Sequence, residues 1–386
     1  SYFHVSATGT PRMSKQDHFL NWEEQYWSSD RKTSRKQRKT AEKKDRSKFK
    51  KSNQDQLLKQ SKKLVNAMDI QGRVLTIAAV GITVFSNEHS YLCSLKGALK
   101  QERDFMKNLV AVGDLVLMQI IDETHAVITQ VMPRSSILSR ADNLSRKKQQ
   151  LIATNVDQVF ITASVCSPKL KPLLVDRYII AAQKGNICPI ILINKVDLLD
   201  NPPDRLSLES IEEEKKLYEE FVHIYQSLNF LVIPLSIITQ EGINVLKTQM
   251  QNKTSVFSGQ SGVGKSSLIN LVTGLCFATR QVVKRTGKGS HTTTQARMIP
   301  LEGGGYCIDT PGIQSFGIWD IDKKTLSSYF SEIFTISSEC QFPNCTHREE
   351  PNCAVKKAVE IGEISTLRFD SYCALMSSLS KKHQNR

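Results

Sequence analysis

Residues 259–270 read GQSGVGKSSLIN and match the phosphate-loop pattern G-x-x-x-x-G-K-[ST]. The apolar residues TSVFS before this loop and SSLINLV after its lysine predict a strand, a loop and a helix in that order. In such a loop the backbone N–H groups face a phosphate, the Lys265 ammonium reaches the β- and γ-phosphate oxygens, and the Ser266 hydroxyl ligates Mg²⁺. We expect a nucleotide to contact Gly259, Gly262, Val263, Gly264, Lys265, Ser266 and Ser267.

A guanine-reading motif precedes this loop. Residues 191–197 read ILINKVD, so Asn194 and Asp197 follow an apolar strand, and Gly259 comes 62 positions after Asp197. The Asp197 carboxylate can accept hydrogen bonds from N1–H and the exocyclic amine of guanine, whereas adenine offers no such donor pair. We expect Asn194 to bond the base as well, the Lys195 stem to lie against the ring, and Ser236 in PLSIITQEG (234–242) to form the loop over it.

A switch motif follows the phosphate loop. In CIDTPGI (307–313), Asp309 ends an apolar strand and can hold Mg²⁺ through water, and the Gly312 N–H can sense a γ-phosphate. The motif order is therefore base reader, base loop, phosphate loop and switch, which is a circularly permuted GTP site. A doubly wound sheet tolerates that order because its ligand-binding loops gather at the carboxyl ends of the strands.

The rest of the chain divides into regions of different composition. Short runs of β-branched residues from 70 to 133 predict a small barrel of the OB or SH3 type. A polar, basic linker is expected at 134–150, followed by alternating strands and helices that predict a mostly parallel sheet covered on both faces. The last 60 or so residues have the pattern of helices.

Four potential metal ligands lie in CQFPNCTHREEPNC, with the spacing C-x4-C-x-H-x5-C. Cys340, Cys345, His347 and Cys353 supply three thiolates and one imidazole, which is a closed tetrahedral set for one structural Zn²⁺. The alternative is a group of unrelated surface cysteines. The odd total of nine cysteines favours a reducing compartment over a disulfide framework, and we expect a cytoplasmic protein.

Positive charge is concentrated near the N-terminus. The chain carries a net charge of +14, and residues 31–63 contain 15 Lys or Arg against three acidic residues. Such a segment cannot bury apolar surface, so residues 1–69 are expected to be a largely disordered extension when free. It is either a solubilising tail or an arm that neutralises RNA phosphates. No apolar run is long enough to cross a bilayer, so no membrane partner is expected.

Taken together, the motifs resemble the ribosome small-subunit-dependent GTPase family, RsgA or YjeQ. The resemblance covers residues 70 to 375 and rests on VGDLV, RSSILSR, LLVDRY, INKVDLL, SGQSGVGKSSLIN, GKGSHTTT, IDTPGIQSFG and CTHREEPNCAVKKAV. It implies an OB barrel at 70–133, a circularly permuted α/β P-loop GTPase domain at 134–322 and a helical zinc domain at 323–386. It also implies GTP hydrolysis stimulated by the small ribosomal subunit and its rRNA during late subunit maturation, coupled to release of the protein. Separately, we expect a monomer.

The resemblance also implies roles in switch I. Thr293 is expected to ligate Mg²⁺ and sense the γ-phosphate, with Thr292 and Thr294 as alternatives. Ile313 stands where Ras-like enzymes use a glutamine to orient water, so the resemblance assigns that role to His291, with Gln314 as a weaker alternative. Gly262 stands where some GTPases have a K⁺-binding Asn, so no K⁺ site is implied.

Two other functions fit the same sequence. The chain could be a binding module that GTP locks in one conformation, with hydrolysis incidental, or a permuted GTPase that acts on another RNA. Intact Lys265, Ser266 and Asp309 favour hydrolysis over the first alternative.

Overall fold

The structure is a computed structural model that describes residues 69–96, 109–141, 149–204, 206–275, 296–309, 321 and 323–384. Its strands form one 11-stranded sheet and one two-stranded sheet. The large sheet contains a barrel and an α/β sheet, joined by one strand pairing. Among the described residues, no helix has the length and apolar character needed to span a membrane.

The barrel is built from the first five strands: β1 (Ile70–Ala78), β2 (Gly81–Ser86), β3 (His89–Leu95), β4 (Leu115–Ile120) and β5 (His125–Val131). Neighbouring strands follow the order β1-β2-β3-β5-β4, and β4 returns to pair with β1, which closes the barrel. Alternate residues of each strand point inward, and Val74, Val84, Val116, Met118 and Ile128 are fully buried there. The predicted small barrel is confirmed.

The α/β sheet has the strand order β10-β9-β8-β11-β13-β12. Its strands are β8 (Gln158–Ser164), β9 (Cys188–Asn194), β10 (Leu231–Leu235), β11 (Thr254–Gly259), β12 (Arg297–Pro300) and β13 (Tyr306–Asp309). All neighbours are parallel except β12, which runs antiparallel to β13. The mostly parallel sheet predicted from the sequence is therefore confirmed.

Four helices cover the two faces of this sheet. They are α1 (Pro172–Lys184), α2 (Leu208–Ser227), α3 (Ile243–Met250) and α4 (Lys265–Thr273). Side chains of α1 and α2 share one buried cluster with Ile161 and Ile191 of the strands, whereas α3 and α4 pack with Phe160 and Leu192 on the other face. Consecutive strand residues thus face opposite layers, which explains why these strands are apolar throughout.

The segment predicted as a polar linker contains regular structure. Strand β6 (Ile137–Ala141) pairs antiparallel with β7 (Gln149–Thr154) in the two-stranded sheet. Leu138 is buried in the same cluster as the strands of the α/β sheet, and the β6 backbone also bonds Gly185 at the end of α1. The linker prediction was wrong for these residues because one buried leucine and backbone pairing outweigh the polar composition of the segment.

The barrel meets the α/β sheet through β12. In register, Arg297 of β12 pairs with Thr76 of β1 on one side and with Asp309 of β13 on the other. A buried carboxylate adds a second link, since Asp114 accepts bonds from Arg134 at 2.7 and 2.8 Å and from the Thr154 hydroxyl at 2.6 Å. These two links hold the barrel and the α/β sheet together.

The C-terminal region is helical, as the sequence predicted. It contains α5 (Lys323–Leu326), α6 (Ser331–Ser337), α7 (Ala354–Glu360) and α8 (Thr366–Gln384), with a 3₁₀ turn at Ser327–Tyr329. Its apolar cluster includes Phe330, Ile333, Val355 and Tyr372, together with Ile180 from α1. The region therefore packs against the α/β sheet through α1.

Candidate nucleotide site and metal centre

The motifs predicted to bind the nucleotide lie at one edge of the sheet. Strand register aligns Leu235 with Asn194, Asn194 with Ser164, and Gly259 with Thr162 in neighbouring strands. The carboxyl ends of β10, β9, β8 and β11 thus lie side by side, and β13 follows next to β11. This is the edge where doubly wound sheets bind ligands.

The base-reading motif is hydrogen-bonded directly to the phosphate loop. The Asn194 side-chain amide donates to the Val263 carbonyl at 2.7 Å, and the Lys195 ammonium donates to the carbonyls of Gly262, at 2.7 Å, and Ser167. Sequence reasoning assigned both side chains to the base and did not foresee these contacts. Asn194 is buried in this position, so the base reader and the phosphate loop form one unit.

Gly264 makes that close approach possible. Its φ of +98° lies in the left-handed region, and a Cβ at this position would lie 2.3 Å from the Asn194 Nδ2 atom. The helix α4 begins at the next residue, so its N-terminal N–H groups face the loop. A glycine is therefore required here both by the backbone conformation and by the neighbouring amide.

Lys265 lies half-buried under the loop. Its ammonium donates to the Gly259 and Gln260 carbonyls at 2.7 and 2.6 Å, and burial lowers its pKa to about 8. The next residue, Ser266, is exposed at the start of α4. An anionic ligand in the loop would favour the charged form of the lysine.

The loop after β10 is ordered by Ser236. This buried hydroxyl accepts from the backbone N–H groups of Ile238 and Thr239 at 3.1 and 3.2 Å. Asp197, half-buried, lies in the 3₁₀ turn Val196–Leu199 that follows the left-handed Lys195. Both predicted base-contacting segments thus begin at the ends of adjacent strands.

A third segment, residues 165–170, lies beside the phosphate loop and was missed from the sequence. Glu214 of α2 is buried and accepts from the backbone N–H groups of Cys166, at 3.1 Å, and Leu170, at 2.7 Å. Pro168 lies close enough that a Cβ on Gly262 would be 3.8 Å from its ring. The acidic run SIEEEKK gave no signal that one of its glutamates would be buried, because its composition is that of an exposed helix face.

Asp309 ends β13 as predicted. Burial raises the pKa of its carboxyl group, and the Arg297 guanidinium on the paired strand opposes that rise. The strand pairing places this carboxylate one strand away from the phosphate loop. The remaining predicted switch residues, His291, Thr293 and Gly312, together with Thr292, Thr294, Ile313 and Gln314, lie outside the described residues.

The four predicted metal ligands come together in the C-terminal region. The ligand atoms of Cys340, Cys345, His347 and Cys353 all lie within 4.8 Å of one another. Two Sγ atoms, of Cys340 and Cys353, are 3.8 Å apart, and the His347 Nδ1 lies 3.5 and 3.4 Å from them. Ligands about 2.0 to 2.3 Å from a tetrahedral ion are separated by roughly 3.4 to 3.8 Å, so the donor set and its size fit a metal site.

Charge and backbone geometry also fit a metal there. Burial lowers the pKa of His347, which favours the neutral ring that binds metals. Burial, together with the neighbouring thiols, raises the pKa of Cys345 to about 12, so three close thiolates need a cation to stabilise them. The Glu350 carboxylate accepts from the backbone N–H groups of Thr346 and Arg348 at 2.8 and 3.0 Å, which holds the His347 loop in place.

Comparison with known proteins agrees with this architecture. A sequence profile described as RsgA GTPase matches residues 131–319. The chain is 37% identical over 286 residues to the small ribosomal subunit biogenesis GTPase RsgA of Bacteroides fragilis, covering 74% of this chain and 88% of that protein. It is 32% identical over 319 residues to the protein of the same name from Caldanaerobacter subterraneus, covering 82% and 98%.

Two solved structures share the fold. YjeQ from Thermotoga maritima aligns with a TM-score of 0.63 at 30% identity, covering 81% of this chain and 99% of that one. YloQ, described as a circularly permuted GTPase, aligns with a TM-score of 0.61 at 27% identity, covering 82% and 96%. With relatives above 30% identity matched over most of their length, and with the permuted site and Cys₃His cluster in place, this chain belongs to the RsgA GTPase family.

Proposed function

We propose that this protein hydrolyses GTP to GDP and phosphate and acts in the biogenesis of the small ribosomal subunit. The observation that carries the proposal is the hydrogen bonding of the NKVD motif to the phosphate loop, through Asn194 to Val263 and Lys195 to Gly262. That contact joins a guanine-specific element to a triphosphate-binding element in one preformed site. The names of the relatives from Bacteroides and Caldanaerobacter supply the ribosomal assignment.

The proposed binding roles are supported by the positions of the side chains. Asp197 accepts from the guanine base, and the Ser236 loop covers it, while Asn194 and Lys195 hold the base reader against the loop. The backbone of Gly259 through Ser267 cradles the phosphates. Lys265, now bonded to two loop carbonyls, turns its ammonium to the β- and γ-phosphates.

The catalytic roles concern the γ-phosphate. Ser266 and Thr293 would ligate Mg²⁺, Asp309 would hold it through water, and the ion neutralises charge on the phosphates. Gly312 would donate its N–H to the γ-phosphate. His291 would position the attacking water, because Ile313 has no polar group for that task.

The C-terminal cluster is proposed to hold one structural Zn²⁺ through Cys340, Cys345, His347 and Cys353. Four protein ligands leave no coordination position for a substrate, so the site stabilises the fold of its loop. The proposed partner is the small ribosomal subunit and its rRNA, and the basic segment 31–63 is proposed as an additional rRNA contact. We propose a monomer that works in the cytoplasm, where thiols stay reduced.

The deciding experiment is GTP turnover by the purified protein, measured alone and with small subunits, large subunits or free RNA added separately. We expect slow turnover alone, because Ile313 cannot position the attacking water, and strong acceleration by small subunits only, as the names of the relatives imply. Equal turnover in all four reactions would contradict the ribosomal assignment, and no turnover in any of them would contradict the hydrolase assignment.

A histidine substitution separates hydrolysis from binding. The His291→Ala variant should bind small subunits with GTP but lose stimulated turnover, whereas His223→Ala, which removes an exposed histidine of α2, should behave as wild type. Retained stimulation in His291→Ala would remove this histidine from the mechanism. A normal cellular function of that variant with no turnover would favour the nucleotide-locked binding module.

A further inference from the structure

Arg368 of α8 is the largest fully buried side chain among the described residues, with 2% of its surface exposed. Its guanidinium donates to the Glu332 carboxylate of α6 at 2.6 Å and to the Asp176 carboxylate of α1. It also lies over two rings, 4.4 Å from the Phe330 centroid and 5.3 Å from the Tyr225 centroid. Arg368 of α8 thus contacts α6 and the preceding Phe330 in the C-terminal region, and two helices of the GTPase domain.

On the C-terminal side, these contacts lead to the metal cluster. Phe330 packs edge-to-face on Tyr372, with ring centroids 5.5 Å apart, and the Tyr372 ring lies 5.9 Å from that of the ligand His347. The Tyr372 hydroxyl also donates to the Thr346 carbonyl at 3.4 Å. Because Tyr372 lies one helical turn after Arg368, both side chains project from the same face of α8.

On the GTPase side, the contacts lead to the nucleotide site. Asp176 is fully buried in α1 and accepts from the Tyr225 hydroxyl of α2 at 2.6 Å. The same two helices hold the segment 165–170, since α1 follows it directly and Glu214 of α2 accepts two of its backbone N–H groups. That segment bonds Lys195 through the Ser167 carbonyl and lies beside Gly262.

We propose that Arg368 is a positioning residue that couples the Cys₃His cluster to the nucleotide site through Asp176 and α1. The route runs through described residues and ends on the base reader and the phosphate loop. It rests on the proposed function only in assuming that the site binds guanine nucleotides. When the cluster is intact, Arg368 fixes α1 and α2 and so keeps the segment 165–170 against the loop.

The Arg368–Asp176 contact cannot be loosened gradually, because both charges are buried. Burial raises the pKa of the fully buried Asp176 carboxyl group, and the Arg368 charge opposes that rise more than the hydrogen bonds from Tyr225 and Ser371 do, so Arg368 supplies the main compensation for the buried carboxylate. If α8 withdrew, Asp176 would be left uncompensated, and α1 would have to move to solvate it. In the proposed coupling, α1 therefore moves between two arrangements, one with Asp176 paired to Arg368 and one with Asp176 solvated, which is what coupling between distant sites requires.

The test uses the full-length protein and the dissociation rate of a fluorescent GDP analogue, measured with the metal bound to the Cys₃His cluster and after its removal by a zinc-selective chelator, with Mg²⁺ kept in excess in both cases. In the wild type we expect metal removal to raise the dissociation rate about tenfold, which is in the usual range of coupling between sites. In the double variant Asp176→Asn/Arg368→Met, which removes both charges while leaving an amide to accept from Tyr225, we expect a rate that changes less than about twofold on metal removal.

Controls separate coupling from loss of structure. Arg368→Met alone leaves both Asp176 and Glu332 without their cation and should lower the thermal unfolding temperature, whereas the double variant, in which only Glu332 lacks a partner cation, should recover part of that loss. Lys357→Met removes an exposed cation of α7 and should keep the wild-type response to the chelator. Arg368→Lys should respond partially, because one ammonium cannot reproduce the forked contacts to Asp176 and Glu332.

Two results would overturn the proposal. If removal of the metal left the dissociation rate of the GDP analogue from the wild-type protein unchanged, the cluster and the nucleotide site would be independent. A double variant that folds stably and still responds tenfold would show that the coupling bypasses Arg368. Neither readout involves ribosomes or hydrolysis, so a failure of the ribosomal assignment would be seen separately in the turnover assay.

Discussion

Replacing Gly264 by alanine tests whether the base reader and the phosphate loop depend on one another. The new Cβ would lie 2.3 Å from the Asn194 amide nitrogen, a distance that real Cβ contacts do not reach. Asn194 must therefore move, and it then loses the 2.7 Å hydrogen bond to the Val263 carbonyl. We expect both nucleotide affinity and stability to fall.

The loss in the free energy of unfolding of Gly264→Ala is the sum of two contributions. An alanine in the left-handed region costs about 1 to 2 kcal/mol relative to glycine. Leaving a buried amide unsatisfied costs about 1 to 3 kcal/mol more, so the free energy of unfolding should fall by roughly 2 to 5 kcal/mol. If the second term also weakens nucleotide binding, the Kd for GDP should rise by roughly fivefold to 150-fold, since each 1.4 kcal/mol is about tenfold.

Gly274→Ala provides the matched control. Gly274 directly follows α4 with a φ of +66°, and no described residue lies within 4 Å of the position where its Cβ would stand. This variant should show the backbone cost alone, about 1 to 2 kcal/mol in urea unfolding, with GDP affinity within about twofold of wild type. Wild-type GDP affinity in Gly264→Ala, measured by fluorescence titration, would refute the idea that the Asn194 contact supports binding.

Three further predictions concern charge and metal. Burial lowers the Lys265 pKa to about 8, and a bound phosphate would raise it. GDP affinity should therefore be constant below about pH 8 and fall above it, by up to tenfold per pH unit. A Lys265→Arg variant, titrated in the same buffers, should bind GDP more weakly but without that fall, because arginine stays charged. Cys353→Ser should lose the one Zn²⁺ that we propose, as measured by elemental analysis, and its C-terminal region should melt at a lower temperature, whereas Cys188→Ser, which changes an exposed cysteine outside the cluster, should keep the metal. Deleting residues 1–63 should weaken binding to small subunits and flatten its dependence on salt; unchanged affinity at moderate salt would exclude the basic segment as an rRNA contact.

The sequence predicted the parts of the site that depend on short, spaced motifs. The loop at Gly259, the NKVD turn and the Cys₃His set each need particular side chains at fixed intervals. Such intervals can be recognised directly in the amino-acid sequence. Strand β11 and helix α4 begin and end close to where the pattern placed them, because the motif itself defines the boundary between strand, loop and helix.

The contacts that join these motifs could not be predicted in the same way. Nothing in the run around Glu214 distinguishes the glutamate that binds the backbone at Cys166 from its exposed neighbours, and that contact spans 48 positions of sequence. Likewise Asp176 and Arg368 lie 192 positions apart, and each has the surroundings of an ordinary helix residue. Such pairs depend on how helices pack, which a local pattern does not specify.

The pairing of β1 with β12 has a consequence for truncated proteins. Within the described part of the chain, β12 ends the α/β sheet on the barrel side, and its Met298 and Ile299 are buried. Unpaired edges of this kind template association between chains, and natural proteins cover or charge them. In this protein the barrel covers the edge of β12. A fragment that begins after β5 would expose the unpaired backbone groups of β12 and should aggregate, even though every nucleotide motif would still be present.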